Sequence, residues 1–173
     1  MEVMDAMRIR RTVRRFTNRS IAAADMEEIL LCGILAPSGK NRQPWKFCVR
    51  TDARSKAGLS RLSPDNRQAI QQASHVVVVF LDEKRGYDTA KDNQAIGACI
   101  ENMLLAATAK GIGSCWIGGL NDKQQEVSDC LGLHNASLRL SAVIAFGYPD
   151  ENPAERRISP LNVYILEGDH AER

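Results

Sequence analysis

The stretch APSGKNRQPW (residues 36–45) separates two different secondary-structure patterns. Before it, apolar residues recur at helical spacing over residues 25–36, and Pro37 predicts the end of that helix. After it, Trp45–Val49 alternates apolar and polar side chains, which predicts a strand. A purely structural tight turn uses the same Pro, Ser, Gly and Asn, so that interpretation stays open. The alternative is a polar pocket lined by the short side chains Ser38, Asn41 and Gln43.

Farther from this stretch, the chain alternates irregularly between helices and strands. The β-branched run Val76–Leu81 predicts a buried strand, and residues 92–110 form the longest helical pattern. That helix is apolar almost all round, so we expect a core or a second subunit to cover it. The other predicted elements are helices over residues 2–9 and 122–131 (ended by Gly132), two short helices of which the second begins at Ser63-Pro64, strands Ser114–Ile117 and Leu140–Phe146, and an extended segment Leu161–Leu166. This order predicts a mixed α+β fold, with one domain over residues 1–173.

Composition narrows the class of protein. The 173 residues are 44% hydrophobic and 25% charged, which is typical of a soluble globular domain and excludes wholesale disorder or a coiled coil. No apolar run approaches the roughly 20 residues of a membrane-spanning helix, and Glu2 and Asp5 argue against a signal peptide. The cysteines lack zinc-ligand spacing, so we expect no metal site and predict reduced thiols in a cytoplasmic protein. They are Cys32, Cys48, Cys99, Cys115 and Cys130.

Positive charge is concentrated near the start of the chain. Residues 8–19, the arginine segment, contain no acid and six arginines: Arg8, Arg10, Arg11, Arg14, Arg15 and Arg19. Without these six, 17 basic residues face 21 acidic ones, although the whole chain has a net charge of +2. A small basic patch on a mildly acidic body suits a compact anion such as phosphate. The alternative is that these arginines form an ordinary solvated surface. A basic arm that binds nucleic acid is disfavoured because Phe16 is the only aromatic residue among the arginines.

Two further segments could contribute to a ligand site. Ser114–Ile117 ends in Gly118 and Gly119, and paired glycines let main-chain N–H groups approach a ligand closely. The turn Gly147-Tyr148-Pro149 is followed by Arg156 and Arg157. Taken alone, each of these segments is also compatible with an ordinary turn or an exposed arginine pair.

In chain order, these segments resemble the FMN-dependent nitroreductase family. The resemblance covers roughly residues 5–160 and is carried by RRTVRRF (10–16), APSGKNRQPWKF (36–47), ASHVVVVF (73–80), GIGSCWIGG (111–119) and AFGYP (145–149). It implies an α+β flavin fold with a central mixed, mainly antiparallel sheet flanked by helices. It also implies an intertwined homodimer with two FMN sites at the subunit interface.

The resemblance assigns roles residue by residue. It implies that the FMN phosphate and ribityl chain meet Arg10, Arg11 and Thr12, and that Arg14 faces the pyrimidine edge of the flavin. The ring would be lined from the partner subunit by Pro37, Ser38 and Asn41. On its own subunit it would meet Asn66 and the main chain of Ile117, Gly118 and Gly119. Arg157, or Arg156, would reach the phosphate from the C-terminal side.

The implied reaction is ping-pong hydride transfer from NAD(P)H, through FMN, to a nitroaromatic, quinone or similar electron-poor small molecule. No side chain is needed as a nucleophile or base, because the flavin carries the redox chemistry. Ala69 stands where some members place a lysine, and Asp82–Lys91 leaves little room for a lid. A different flavin reaction is the alternative: dehalogenation, flavin fragmentation or dehydrogenation.

Overall fold

The computed structural model describes residues 1–154 and 158–166. Its helices are α1 (Val3–Ile9), α2 (Ala23–Ile34), α3 (Ala53–Leu62), α4 (Arg67–Gln72), α5 (Thr89–Ala109) and α6 (Gln124–Leu131). Its strands are β1 (Trp45–Arg50), β2 (His75–Asp82), β3 (Gly113–Ile117) and β4 (Leu138–Gly147). Short 3-10 turns cover Gly39–Asn41, Pro64–Asn66 and Leu161–Val163.

The four strands form one antiparallel sheet in the order β1-β2-β4-β3. The parallel component is a single isolated bridge, between Thr12 and Ser114 at the β3 edge. The predicted α+β class with a mainly antiparallel sheet is therefore confirmed.

The position of β2 between two layers of helices explains why its sequence is apolar without alternation. Val77 and Val79 pack into a core shared with α2 and α5, whereas Val76 and Val78 pack into a second core shared with α3, α4 and α6. All four valines have no exposed surface. Because helices cover both faces of the sheet, the strand reads as a continuous apolar run.

Helix α5 crosses α2 closely at Gly33. A Cβ atom added to Gly33 would stand 2.7 Å from Met103 Cγ and 3.3 Å from Cys99 Sγ. Burial raises the pKa of the Cys99 thiol to about 12, so this sulfur is a packed apolar group rather than a reactive thiolate.

An apolar face is left uncovered on α1 and α2. Large side chains on it are at least half exposed: Val3, Met4, Leu31 and Leu35, the last at 79%. We call this set the apolar face. Val3 and Leu35 of this set line one cavity of about 300 Å³ together with Leu105 and Ala109 of α5, and exposed apolar patches are typical of interaction surfaces. Within the described ranges, no helix has both the length and the hydropathy that crossing a bilayer would require.

Several predicted boundaries need correction. Helix α5 begins three residues earlier than predicted, because the Asp88 side chain accepts a hydrogen bond from Lys91 N and caps it. Ser63-Pro64 opens a 3-10 turn, and α4 begins only at Arg67. The extended segment predicted over Leu161–Leu166 is wrong, because Leu161–Val163 forms a 3-10 turn after Pro160. The stop at Gly132 is confirmed by its left-handed φ of 65°.

Candidate functional site

After α1 ends at Ile9, the arginine segment leaves the helix and runs across the ends of β3 and β4, bridging them at Thr12 and Phe16. Val13 N donates to Ser114 O at 2.9 Å, and Thr17 N donates to Tyr148 O at 2.9 Å. Phe16, 2% exposed, anchors the segment in the core and occupies the space beside Gly147. The main chain of the segment is thus fixed, while the side chains of Thr12 and Arg14 are exposed.

Glu151 holds this segment from the far end of the chain. Its Oε1 accepts hydrogen bonds from the main-chain N–H groups of Arg14 and Arg15, and its Oε2 lies 3.3 Å from Arg15 Nε. The N–H of Arg14, and then that of Arg15, lowers the pKa of the Glu151 carboxyl, which therefore stays ionised. Sequence reasoning missed this residue, because nothing distinguishes it from other surface acids.

The predicted phosphate ligands differ in what they contact. Arg10 Nε lies 3.3 Å from Glu101 Oε1 of α5, and its side chain is only 17% exposed. Arg11 Nη1 donates to the carbonyls of Arg8 and Arg10 at 2.7 and 2.9 Å. Within residues 1–154 and 158–166, no carboxylate lies in salt-bridge range of the Arg11 or Arg14 guanidinium. These two arginines therefore keep positive charge available for a ligand.

A cavity of about 340 Å³ opens beside these free charges, and a second of about 420 Å³ adjoins it. The first is lined by Arg11, Thr12, Arg14, Glu151, Pro153 and Ala154. The second shares Arg11 and Glu151 with it and extends to Gly113 and to Thr108 of α5. The Glu151 oxygens are already bonded to N–H groups and to Arg15, so the cavity favours an anion.

Strand β3, which Val13 contacts through Ser114, also contacts Asn66. The Cys115 thiol faces Asn66 Oδ1 at 3.9 Å, and Asn66 Nδ2 donates to Ser63 Oγ at 3.2 Å. Burial raises the pKa of Cys115, a raise that Arg14 partly offsets, so the thiol stays protonated. Ile117 is 2% exposed, so only its main chain could reach a ligand.

The diglycine beyond β3 faces open space. A Cβ atom on Gly118 or Gly119 would meet no atom within 4 Å. In the part of the chain that the structure describes, neither amide N–H has a hydrogen-bond partner. Both groups are therefore available to a ligand.

The predicted residues of the 37–43 loop lie elsewhere. Pro37 and Ser38 line a cavity of about 290 Å³ with Ala95 and its neighbours near the start of α5, and Asn41 is exposed. Thr108, which lines the cavity beside Arg11, lies near the other end of α5. At 1.5 Å per residue, Ala95 and Thr108 are about 20 Å apart along the helix axis. One chain thus places the predicted site residues in two separate groups.

The C-terminal arginines Arg156 and Arg157 lie outside the described residues. The histidines add no chemistry that the described geometry reveals: burial, assisted by Lys56, lowers the pKa of His75, whose Nδ1 contacts Ser74 Oγ at 3.0 Å. No group of three or more His, Cys, Asp or Glu side chains suited to a metal exists among the described residues.

Comparison with known proteins agrees with this architecture. The sequence model of the Nitroreductase family matches residues 7–72 and 62–148. A protein of Archaeoglobus fulgidus named as an NADH dehydrogenase/NAD(P)H nitroreductase is 31% identical, over 94% of this chain and 97% of its own length. The NADPH-flavin oxidoreductase of Vibrio harveyi is 29% identical, over 94% of this chain and 72% of its own length.

A crystal structure from Desulfovibrio desulfuricans, described as a nitroreductase in complex with FMN, superposes with a TM-score of 0.90. It is 36% identical, and the match covers 97% of each chain. Other relatives have other names. An iodotyrosine deiodinase of Thermotoga neapolitana is 24% identical, over 85% of this chain and 88% of its own length, and a 5,6-dimethylbenzimidazole synthase of Rhodospirillum rubrum is 29% identical, over 82% and 79%. The chain belongs to the nitroreductase family.

Proposed function

We propose that this chain is an FMN-dependent oxidoreductase that uses NAD(P)H to reduce a nitroaromatic, quinone or similar electron-poor small molecule. We further propose that residues 1–173 form one FMN-binding domain and that two copies form a homodimer. The observation that carries the proposal is the cavity beside Arg11, Thr12 and Arg14, where cations without carboxylate partners in the described chain adjoin open space.

The residues present fit the phosphate end of FMN. Arg11 offers a planar guanidinium, and the exposed Thr12 offers a hydroxyl donor. The segment that carries them is fixed by Ser114, Tyr148 and Glu151, so little conformational entropy is lost when a phosphate binds. Arg10 is already paired with Glu101 and would support the segment or share its donors with the ligand.

The ring end of FMN also has suitable groups. Arg14 carries a permanent cation, and the N–H groups of Gly118 and Gly119 are open to a ligand. Asn66 lies beside Cys115, which belongs to β3, the strand that leads to the diglycine. A fixed cation near the pyrimidine edge would stabilise the negative charge of reduced flavin, and the amides would orient the ring.

The two groups of site residues support a shared site. Because Ser38 and Thr108 lie near opposite ends of α5, one chain cannot wrap both groups around a single ring. A second copy that covers the apolar face and α5 would bring its 37–43 loop to this chain's arginine segment. Both FMN sites of such a dimer would be composite.

In this arrangement, bound FMN would supply hydride acceptance from NAD(P)H and electron delivery to the second substrate. The protein residues bind, orient and tune, and none acts as a nucleophile or base. NAD(P)H and the acceptor would occupy the same face of the flavin in turn. The segment between β2 and α5, residues 83–88, is too short to form a lid over that face.

The test is an absorption spectrum of the purified protein, recorded before and after anaerobic NADH or NADPH. We expect flavin bands that bleach with a nicotinamide donor and return with a quinone or nitroaromatic. A colourless protein that takes up no added FMN would contradict the proposal.

A second candidate within flavin chemistry is a dehalogenation or flavin-fragmentation reaction. It is favoured by the relatives named iodotyrosine deiodinase and 5,6-dimethylbenzimidazole synthase. Flavin that NADH and NADPH both leave oxidised would support this candidate instead, if chemically reduced flavin is then reoxidised by a halogenated aromatic with release of halide, or is fragmented by dioxygen.

A further inference from the structure

The 37–43 loop has an unusual main chain. Lys40, Asn41 and Gln43 have φ angles of 54°, 52° and 50°, in the left-handed region that residues other than glycine rarely adopt. Within the loop, Gln43 N donates to Ser38 Oγ at 2.9 Å. Such a conformation persists only where the surrounding structure holds it. Residues outside the loop must therefore hold it in this conformation.

The turn over residues 83–88, here the Tyr87 turn, contacts this loop at three residues. The hydroxyl and ring of Tyr87 fill the space beside Gly39: a Cβ atom there would lie closest to the hydroxyl oxygen, then to Cε1, and would stand 2.6 Å from Cζ. Arg85 Nε donates to the carbonyl of Arg42 at 3.1 Å. Lys40 Nζ also lies 4.9 Å from the centre of the Tyr87 ring, on the same side of the loop.

A buried acid fixes the Tyr87 turn. Asp92 is 3% exposed, and its Oδ2 accepts hydrogen bonds from Tyr87 N at 2.9 Å and Asp88 N at 3.1 Å. The approach is close, since a Cβ atom on Gly86 would stand 2.6 Å from the same oxygen. Asp92 belongs to α5, so the core helix determines where the Tyr87 ring lies.

We propose that Tyr87, held by Asp92, is a positioning residue that keeps the 37–43 loop in the shape required for flavin binding. The inference rests on the proposed function, because it assigns Ser38 and Asn41 to the partner subunit's FMN site. Tyr87 itself does not touch the flavin in this proposal; it acts through Gly39. Its contribution is preorganisation of a strained loop, which lowers the ordering cost of binding.

The first test is FMN affinity of reconstituted protein with changes at Tyr87. We expect Tyr87→Ala to weaken FMN binding about tenfold, because the loop must then be ordered by the ligand. Tyr87→Phe keeps the ring and should bind as the parent does. Lys84→Ala is the matched control, since this exposed residue lies in the same turn and its side chain has no hydrogen bond or ion pair among the described residues. Equal affinity in Tyr87→Ala and the parent would overturn the proposal.

A coupling measurement separates loop positioning from general destabilisation. Gly39 has an ordinary φ, so only the Tyr87 ring opposes an alanine there. Gly39→Ala should weaken FMN binding in the parent but add little in the Tyr87→Ala background. Additive losses would show that Tyr87 does not act through Gly39. Should Tyr87→Ala fail to fold, Arg85→Ala removes the second contact from an exposed position and should also weaken FMN binding.

Mixed dimers test which site Tyr87 serves. In a heterodimer of one Arg11→Ala subunit and one Tyr87→Ala subunit, a shared-site arrangement leaves one site with both residues intact. We expect that site to bind FMN with parental affinity, giving one tight site per dimer. If Tyr87 served the arginines of its own chain, both sites would be impaired, and the proposal would be overturned.

The two proposals fail in different ways. A parent protein that binds no FMN rejects the proposed function. A parent that binds FMN tightly, with Tyr87→Ala and Tyr87→Phe indistinguishable from it, rejects only the role of Tyr87.

Discussion

The Glu151 carboxylate accepts a hydrogen bond from the main-chain N–H of Arg14, across 137 positions of sequence. It thereby fixes the orientation of the residue proposed to face the flavin. Replacing Glu151 with alanine should lower the free energy of unfolding by about 1 kcal/mol, the value of a hydrogen bond to a partly exposed charge. It should also weaken FMN binding, which isothermal titration would measure.

The same carboxylate predicts a pH dependence. Hydrogen bonds from Arg14 N and Arg15 N lower the pKa of Glu151 below its ordinary value of 4.5. The native state therefore binds fewer protons at this site than the unfolded chain does. The stabilisation is complete above the ordinary pKa and is lost as pH falls through the native pKa. Urea unfolding of parent and Glu151→Ala should differ at neutral pH and converge in strong acid; a constant difference would contradict the assignment.

Arg11 is the sharpest test of the phosphate site. A charge-assisted hydrogen bond is worth about 1.5–3 kcal/mol, so Arg11→Ala should weaken FMN binding about ten- to a hundredfold. Stability of the apoprotein should hardly change, because Arg11 contacts only nearby carbonyls. Arg54→Ala, an exposed position on α3, is the matched control. Flavin fluorescence quenching gives both affinities, and equal values would remove Arg11 from the site. By the same measurement, Arg10→Ala should weaken FMN binding as well.

Arg14 should act on the redox potential more than on affinity. Its cation favours the reduced, more negative flavin, so Arg14→Gln should lower the midpoint potential. The expected shift is about 30 mV, which for a two-electron couple corresponds to about 1.4 kcal/mol. Spectroelectrochemical titration measures it. An unchanged potential at unchanged FMN content would place Arg14 away from the ring.

The apolar face predicts association. Leu35 is 79% exposed and sits at the end of α2 among other uncovered apolar side chains. Leu35→Glu should shift a dimer toward monomer and release FMN. The control is Leu166→Glu, which places the same charge at a 98% exposed position outside the apolar face and should leave the mass unchanged. Light scattering coupled to size exclusion gives the mass. A Leu35→Glu protein that is monomeric and still holds FMN would rule out shared sites.

Gly147 should tolerate no side chain. Its Cβ would stand 2.7 Å from Phe16 Cγ, in a core that cannot yield easily. Gly147→Ala should therefore cost about 1–3 kcal/mol of stability and loosen the arginine segment. Gly97→Ala is the control, since a methyl group there meets no atom of the chain within 4 Å. Equal melting temperatures for the two variants would contradict this packing.

Local patterns identified the strands well, because burial on both faces leaves a direct mark on composition. The run Val76–Leu81 differs from β2 by only one residue at each end. The segment Leu161–Leu166 failed for the opposite reason. Its apolar residues predict an extended segment, yet its described side chains are exposed, and the chain turns after Pro160. Apolar composition alone does not reveal whether any partner strand exists.

Only some residues of the candidate site could be predicted from the sequence. Arginines, glycines and the 36–45 stretch carry distinctive residue types, so they could be singled out. Glu151, Glu101 and Tyr87 could not, because each acts through a contact with a residue more than 40 positions away. Such contacts depend on the packing of α5 and the ends of β3 and β4, which no local pattern encodes.

The placement of the two groups of site residues near opposite ends of α5 has a consequence for handling the protein. If each coenzyme pocket is completed by another molecule, dilution alone would strip the yellow colour while every helix stays folded. Pigment lost on dilution and regained on concentration would then be a simple visual assay of assembly.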